Sequence, residues 1–227
     1  GQFDEVLLRP GPRNKPPGAA PVAPGITPEN VANMVVLTYD DPASLEWIAA
    51  NTDDIAAVLV EPVQSRHPEI RPTEFLKELR VITEQSGTAF VFDEVVTGFR
   101  THQGGMQALY GVRADMATYG KVLGGGMPVG ILAGAPRFMD ALDGGQWRYG
   151  DDSVPEVAPT FFAGTFVRHP LVLAACHAVM TYMEEQGPSL QTKLAERCAA
   201  LVERINADLA RRGIATRAET FSSWFNI

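Results

Sequence analysis

Cysteine is scarce in this chain. Cys176 and Cys198 are the only two in 227 residues, with no C-x-x-C pair and no metal-finger spacing. That excludes a disulfide framework and reads as two reduced thiols in helical stretches, in or near a core, which fits a cytoplasmic setting. Long apolar runs are absent too: none reaches the roughly 18 residues a membrane-spanning helix needs. The opening "GQFDEVLLRPGPRNKPP" has no basic stretch leading into an apolar one, so no signal peptide is expected. Positive charge is short. The net charge is −8 and no Lys/Arg cluster appears, which speaks against a nucleic-acid partner. Lysine is the rarer cation, four residues against fifteen arginines. One of them, Lys121, stands in "TYGKVLGGGMPVG" (118–130), among five glycines and no other charge.

The chain is 45% hydrophobic, enough for a sizeable core in one large domain or one and a half ordinary ones. Residues 10–24 hold six prolines and read as an irregular loop, either a linker or an ordered loop near a site or subunit contact. "FDEVLLR" at the start and "FSSWFNI" at the end read as strands, so the chain looks cut from something longer. From residue 33 the pattern alternates. "NMVVLTY" reads as a strand. "DPASLEWIAAN" reads as a helix with Asp41 as N-cap and Pro42 in its first turn. "IAAVLVEP" and "TAFVFDE" are apolar runs ending in acid. Between them "RPTEFLKELRVITEQSG" is an amphipathic helix with Phe75, Leu76, Leu79 and Ile82 on one face and Gly87 as its stop. "ADMATYG" and "PVGILAG" read as short strands, and two long helices follow residue 170 with a Gly-Pro break between them. Short runs buried on both faces, alternating with helices, predict an α/β domain with a mainly parallel sheet.

In open parallel sheets ligands bind beyond the carboxyl ends of the strands, where Glu61, Gln64, Asp93, Glu94 and Lys121 fall. Asp93 is either a turn or capping residue or a carboxylate held for a cationic partner. Glu94 reads as the maker of a structural bond. Lys121 is either a surface lysine in a turn or an amine made nucleophilic by desolvation, which lysine permits and arginine does not. A phosphate-binding P-loop is rejected, since Lys121 precedes the glycines and Val122 follows it. A strand-end acid and a desolvated lysine are together the two protein groups that pyridoxal phosphate requires: an amine to hold the aldehyde as an imine and an acid to keep the pyridine nitrogen protonated.

"VLVEPVQ", "VFDEVVTGFR", "GGMQALYGVRADMATYGKVLGGGMPVG" and "FFAGTFVRHPLVLAA", in that order over most of residues 30–185, resemble the class III aminotransferases. These are fold-type-I pyridoxal-phosphate enzymes that include glutamate-1-semialdehyde aminomutase. "EPVQSRHPEIRPTEFLKELRVIT" and "MDALDGGQWRYGDDSVPE" are similar to aminotransferase domains of hybrid polyketide/non-ribosomal-peptide synthases. The resemblance implies a fold-type-I large domain with a seven-stranded-type, mainly parallel sheet over residues 1–170, and the start of a smaller C-terminal α+β domain over 171–227. It implies Lys121 as the Schiff-base lysine and proton shuttle, Asp93 on the pyridinium nitrogen, Val95 against a ring face, Gln64 on the ring's hydroxyl side, and Thr165 on the cofactor phosphate of a partner subunit. A homodimer with shared active sites follows.

The activity implied is amino transfer from an amino-acid donor to a keto or aldehyde acceptor, such as a β-ketoacyl group on an acyl carrier protein. An aminomutase is the alternative, and a non-catalytic dimerisation or docking piece is the third. Glu61, Arg100 and the glycines 124–126 read as structural. His67, His102 and His177 read as non-catalytic. Arg168 and His169 could touch substrate or a neighbouring chain. The family's Gly-Ser/Thr phosphate loop and its ring-stacking Tyr/Phe-His-Gly aromatic are expected before residue 1, and the small domain is expected to continue past Ile227.

Overall fold

The computed structural model describes residues 3–12 and 17–227, arranged as two compact units, Gly1–Asn51 and Thr52–Ile227. In the first unit, strands β1 (Leu8–Pro10) and β2 (Ala19–Pro21) pair antiparallel, with Arg9 opposite Ala20. The proline-rich stretch connects them, and its residues 13–16 lie outside the described residues. The expected strand over 3–9 is half right, because Asp4–Val6 form a 3₁₀ turn before β1 begins. "NMVVLTY" is not a strand: among its hydrogen bonds to other segments is Val36 N–H to Gly18 O at 3.2 Å, and it joins no ladder. A short helix α1 (Pro28–Ala32) precedes it. Helix α2 (Pro42–Ala50) starts as expected, with the Asp41 carboxylate accepting from Ala43 N–H at 3.0 Å and Pro42 in the first turn.

The second unit holds the site. Strands β3 (Ala57–Val60), β4 (Ala89–Asp93), β5 (Met116–Gly120) and β6 (Gly130–Gly134) form one sheet in that order. The first three are parallel and β6 is antiparallel to β5. The expected seven-stranded, mainly parallel sheet is therefore corrected to three separate sheets of two, four and two strands. The physical reason lies in the connections. A parallel partner needs a crossover of a dozen or more residues, and only residues 121–129 separate β5 from β6. The terminal strands β7 (Glu219–Phe221) and β8 (Trp224–Asn226) likewise close on each other as a hairpin.

Helix α3 (Thr73–Ser86) provides the β3-to-β4 crossover. It buries Leu76, Leu79 and Thr83, and ends at Gly87 in the left-handed conformation. Phe90 and Phe92 of β4 are fully buried and meet edge to face at 4.8 Å; each contributes about 2–3 kcal/mol of burial. The β3 run is not buried on both faces as expected: Leu59 is 55% exposed, since β3 is a sheet edge. Helix α4 (Gly105–Tyr110) leads into β5, and a short helix α5 (Pro136–Met139) follows β6. After an exposed segment come helices α6 (Pro170–Gln186) and α7 (Ser189–Arg211), which carry Cys176 and Cys198 as free thiols. A second small core joins Leu123 to Cys176 and Met183 of α6, with Tyr119, Val129 and Val179 packed around it. Here Gly125 is required: a Cβ would sit 2.8 Å from Val179 Cγ2. Among the described residues no helix is long and apolar enough to cross a membrane.

Candidate functional site

Because β3, β4 and β5 are parallel, their carboxyl ends share one edge of the sheet. Asp93 is the last residue of β4, and its backbone pairs directly with Thr118 of β5. Thr118 Oγ1 donates to Asp93 Oδ1 at 3.2 Å, and Val95 N–H donates to the same oxygen at 3.0 Å. Both recorded bonds fall on Oδ1, which fixes the carboxylate plane. Val95 also packs across to β5. A Cβ placed on Gly120 would stand 3.5 Å from Val95 Cγ1 and 3.0 Å from the Val129 carbonyl oxygen, so the strand ends approach closely.

Lys121 follows Gly120 at once and opens a single 3₁₀ turn, Lys121–Gly124. Its φ is +44°, in the left-handed region, a conformation that costs a non-glycine residue about 1–2 kcal/mol. The sequence allows either a surface lysine in a turn or a desolvated amine. The turn buries Leu123 and Gly124 and leaves Lys121 exposed.

Gln64 lies half-buried in the turn beyond β3, at the same sheet edge, its carbonyl accepting from His67 N–H at 3.0 Å. In that turn Glu61 Oε1 accepts from Ser65 N–H at 3.3 Å. The structure thus brings Asp93, Val95, Gln64 and Lys121 to one edge. Thr165 is in an exposed turn after β6, and no recorded hydrogen bond ties it to that group. Arg168 shares that segment, its guanidinium 5.7 Å from the Phe162 ring centroid, with φ +57°. His67 lies by Glu69 at 3.1 Å, and His102 Nδ1 accepts from Gly104 N–H at 2.9 Å, so both make local bonds.

Glu94 turns inward. It is fully buried, Oε2 accepting from Met106 N–H at 2.8 Å and from Thr97 Oγ1 at 3.2 Å. Burial pushes its carboxyl up from the usual carboxylate range, against the pull of those hydrogen bonds. Tyr119, next to Gly120, has its phenol pushed up by burial and by the Glu94 charge, while Gln107 Nε2 donates to its hydroxyl at 3.1 Å. Sequence reasoning missed Thr118 and Thr97. The only available signal for Thr118 is a hydroxyl residue three places before Lys121 in an otherwise apolar strand.

An acid oriented at one strand end, a primary amine just past the next, and Gly120 beside Val95 between them suit a flat cofactor with an aldehyde and a basic ring nitrogen. The model of the aminotransferase class-III family matches residues 27–216. The chain is 38% identical over 234 residues to glutamate-1-semialdehyde 2,1-aminomutase of Pyrobaculum aerophilum, covering 99% of this chain and 51% of that protein. An omega-transaminase from Sphaerobacter thermophilus superposes with a TM-score of 0.83 at 29% identity, over 99% of this chain and 50% of that one. A transaminase with PLP bound superposes with a TM-score of 0.82 at 26% identity, again over 99% and 50%. The chain spans about half the length of the curated relatives it matches. Its family is settled by the match over residues 27–216: the chain belongs to the class-III aminotransferases.

Proposed function

We propose that this chain carries the lysine and acid of a pyridoxal-phosphate enzyme that moves amino groups, and that the reaction is an aminomutation of the glutamate-1-semialdehyde type. The observation that carries the reading is the pairing of Asp93 with Thr118 three residues before Lys121, which puts an oriented carboxylate and a primary amine on neighbouring strand ends. The curated relatives named glutamate-1-semialdehyde 2,1-aminomutase support the choice of an internal amino shift.

When bound, pyridoxal phosphate supplies an aldehyde that takes up primary amines and a cationic ring that draws electrons from the carbon bearing the amine. Lys121 Nζ would be the amine that holds the cofactor, and when free it would act as the base that takes the proton from the substrate's amine-bearing carbon and as the acid that gives it back. Asp93, held at Oδ1 by Val95 N–H and Thr118 Oγ1, would have Oδ2 left for the ring N–H and so would keep the ring cationic. The Val95 side chain would support a ring face, and Gln64 would lie on the ring's hydroxyl side. Thr165, exposed on its turn, would bind the cofactor phosphate in a partner subunit, which would make the homodimer the working unit. A cytoplasmic setting goes with the two free thiols.

A second reading keeps the same residues and uses a separate donor and acceptor; the likeness to the omega-transaminase favours it. An acceptor bound to an acyl carrier protein is its narrowest form, supported only by the synthase-like motifs. Assay with and without an added amino donor separates the two. Turnover of a single amino-aldehyde substrate without donor supports aminomutation, and strict donor dependence supports transfer. Lys121→Ala abolishes turnover in either case.

A further inference from the structure

Glu94 is the only fully buried acidic residue among the described residues, and it adjoins Asp93 in sequence. Its surroundings are built for a carboxyl group. Gly105 has φ +65°, and a Cβ there would lie 2.6 Å from both Glu94 oxygens, so the backbone leaves that space to the carboxyl. Met106 N–H and Thr97 Oγ1 both donate to Oε2. Oε1 is buried, with Gln107 the further group acting on the carboxyl. Burying a carboxyl costs stability that an apolar side chain would not, so the group's use lies in geometry.

The geometry in question belongs to residues 95–104, which lead from Glu94, just past β4, to α4. Glu94 grips this connection at both ends. Near its start it holds Thr97, and its own carbonyl accepts from Gly98 N–H at 2.8 Å. At its far end it holds Met106 N–H. Val95, between Glu94 and the Thr97–Gly98 turn that Glu94 holds, donates to Asp93 Oδ1 with its N–H and packs toward Gly120 with its side chain. The outer side of the connection is tied separately: Gln103 Nε2 donates to Met183 O at 2.7 Å, Gln191 Nε2 to Phe99 O at 3.1 Å, and Ser222 Oγ to Arg100 O at 3.1 Å. Loss of the Glu94 grip therefore loosens the inner end while the connection stays attached outside.

We propose that Glu94 is a positioning residue for the Asp93–Lys121 pair: its buried carboxyl clamps the 95–104 connection and through Val95 sets both the Asp93 carboxylate and the strand end that bears Lys121. The inference rests on the proposed pyridoxal-phosphate reading for its functional meaning, but its geometric core can be tested without the cofactor.

The test compares Glu94→Ala, Glu94→Gln and Thr97→Val in the isolated protein. The first readout is the side-chain carboxyl ¹³C shift of Asp93 in cofactor-free protein. The second is the dissociation constant and absorbance spectrum with added pyridoxal phosphate. E94A is expected to move the Asp93 resonance and to weaken cofactor binding about tenfold, the scale set by leaving the buried Met106 N–H unpaired. E94Q, whose amide oxygen can take the place of Oε2, is expected to restore both to within about twofold. T97V, which removes one donor and leaves the carboxyl in place, is expected to shift both in the direction of E94A and by less; it carries the test where E94A does not fold. An unmoved Asp93 resonance in E94A, or in T97V where E94A is lost, overturns the proposal, even if thermal stability falls. A moved resonance in a protein that binds no pyridoxal phosphate keeps the clamp and removes the cofactor reading instead.

Discussion

Thr118 donates its hydroxyl hydrogen to Asp93 across paired positions of β4 and β5, at 3.2 Å. The bond links the strand that ends in the acid to the strand that ends beside Lys121, and it shares Asp93 Oδ1 with the Val95 N–H.

Thr118→Val keeps the shape of the side chain and removes one of the two donors. Its expected cost in stability is about 1 kcal/mol, the net value of one hydrogen bond, read from the urea midpoint. Cofactor affinity is expected to fall several-fold more than the same change at Thr101, whose hydroxyl donates only to the Thr97 carbonyl. Equal affinities in the two variants would remove Thr118 from the account.

Gly105→Ala places a methyl where the Glu94 carboxyl sits and imposes φ +65° on an L residue. The two penalties act together, and a loss of about 3 kcal/mol is expected from overpacking, strain and a displaced buried carboxyl. A loss under about 1 kcal/mol in chemical denaturation would mean that the carboxyl moves aside freely.

Two carboxyls give pH dependences of opposite sign. Glu94 is raised by burial above its reference value of 4.5, so the folded state holds the proton more tightly. Its contribution is fully present below 4.5 and is lost as pH rises through the raised folded value. E94Q should flatten the decline in stability above pH 4.5. Asp115 goes the other way. Burial pushes its carboxyl up, but the Phe90 N–H and the Arg80 guanidinium, 3.0 Å away, bring it below 3.8. Its contribution is present above 3.8 and is lost as pH falls through the lowered value. Asp115→Asn should reduce the acid-side slope. Urea midpoints across pH check both signs, and a reversal of either contradicts the assigned cause.

Much of the local structure was legible because it depends on neighbours in sequence. Asp41 and Pro42 mark the start of α2, Gly87 the end of α3, and Val58, Val60, Phe90 and Phe92 the paired strands β3 and β4. Partners distant in sequence were not legible. "NMVVLTY" has strand composition, but no neighbouring strand pairs with it. The fate of "PVGILAG" was decided by the short 121–129 connection, which forces an antiparallel return. The strand-end rule predicts Asp93 and Lys121 at the carboxyl ends of β4 and β5, and both lie there. The hydroxyls that orient Asp93 and hold Glu94 depend on register, on Thr118 facing Asp93, and on Thr97 and Met106 folding back over Glu94, none of which spacing records. Which of its two readings Lys121 takes was not legible either: it is exposed, while Leu123 nearby turns toward α6 and meets Cys176 and Met183.

The central claim is that Lys121 holds pyridoxal phosphate. Borohydride reduction of the isolated protein, with and without added cofactor, followed by peptide mass mapping, tests it directly. The account predicts a pyridoxyl adduct on the peptide that contains Lys121. An unmodified Lys121 in a protein that stays colourless with pyridoxal phosphate supplied would contradict it.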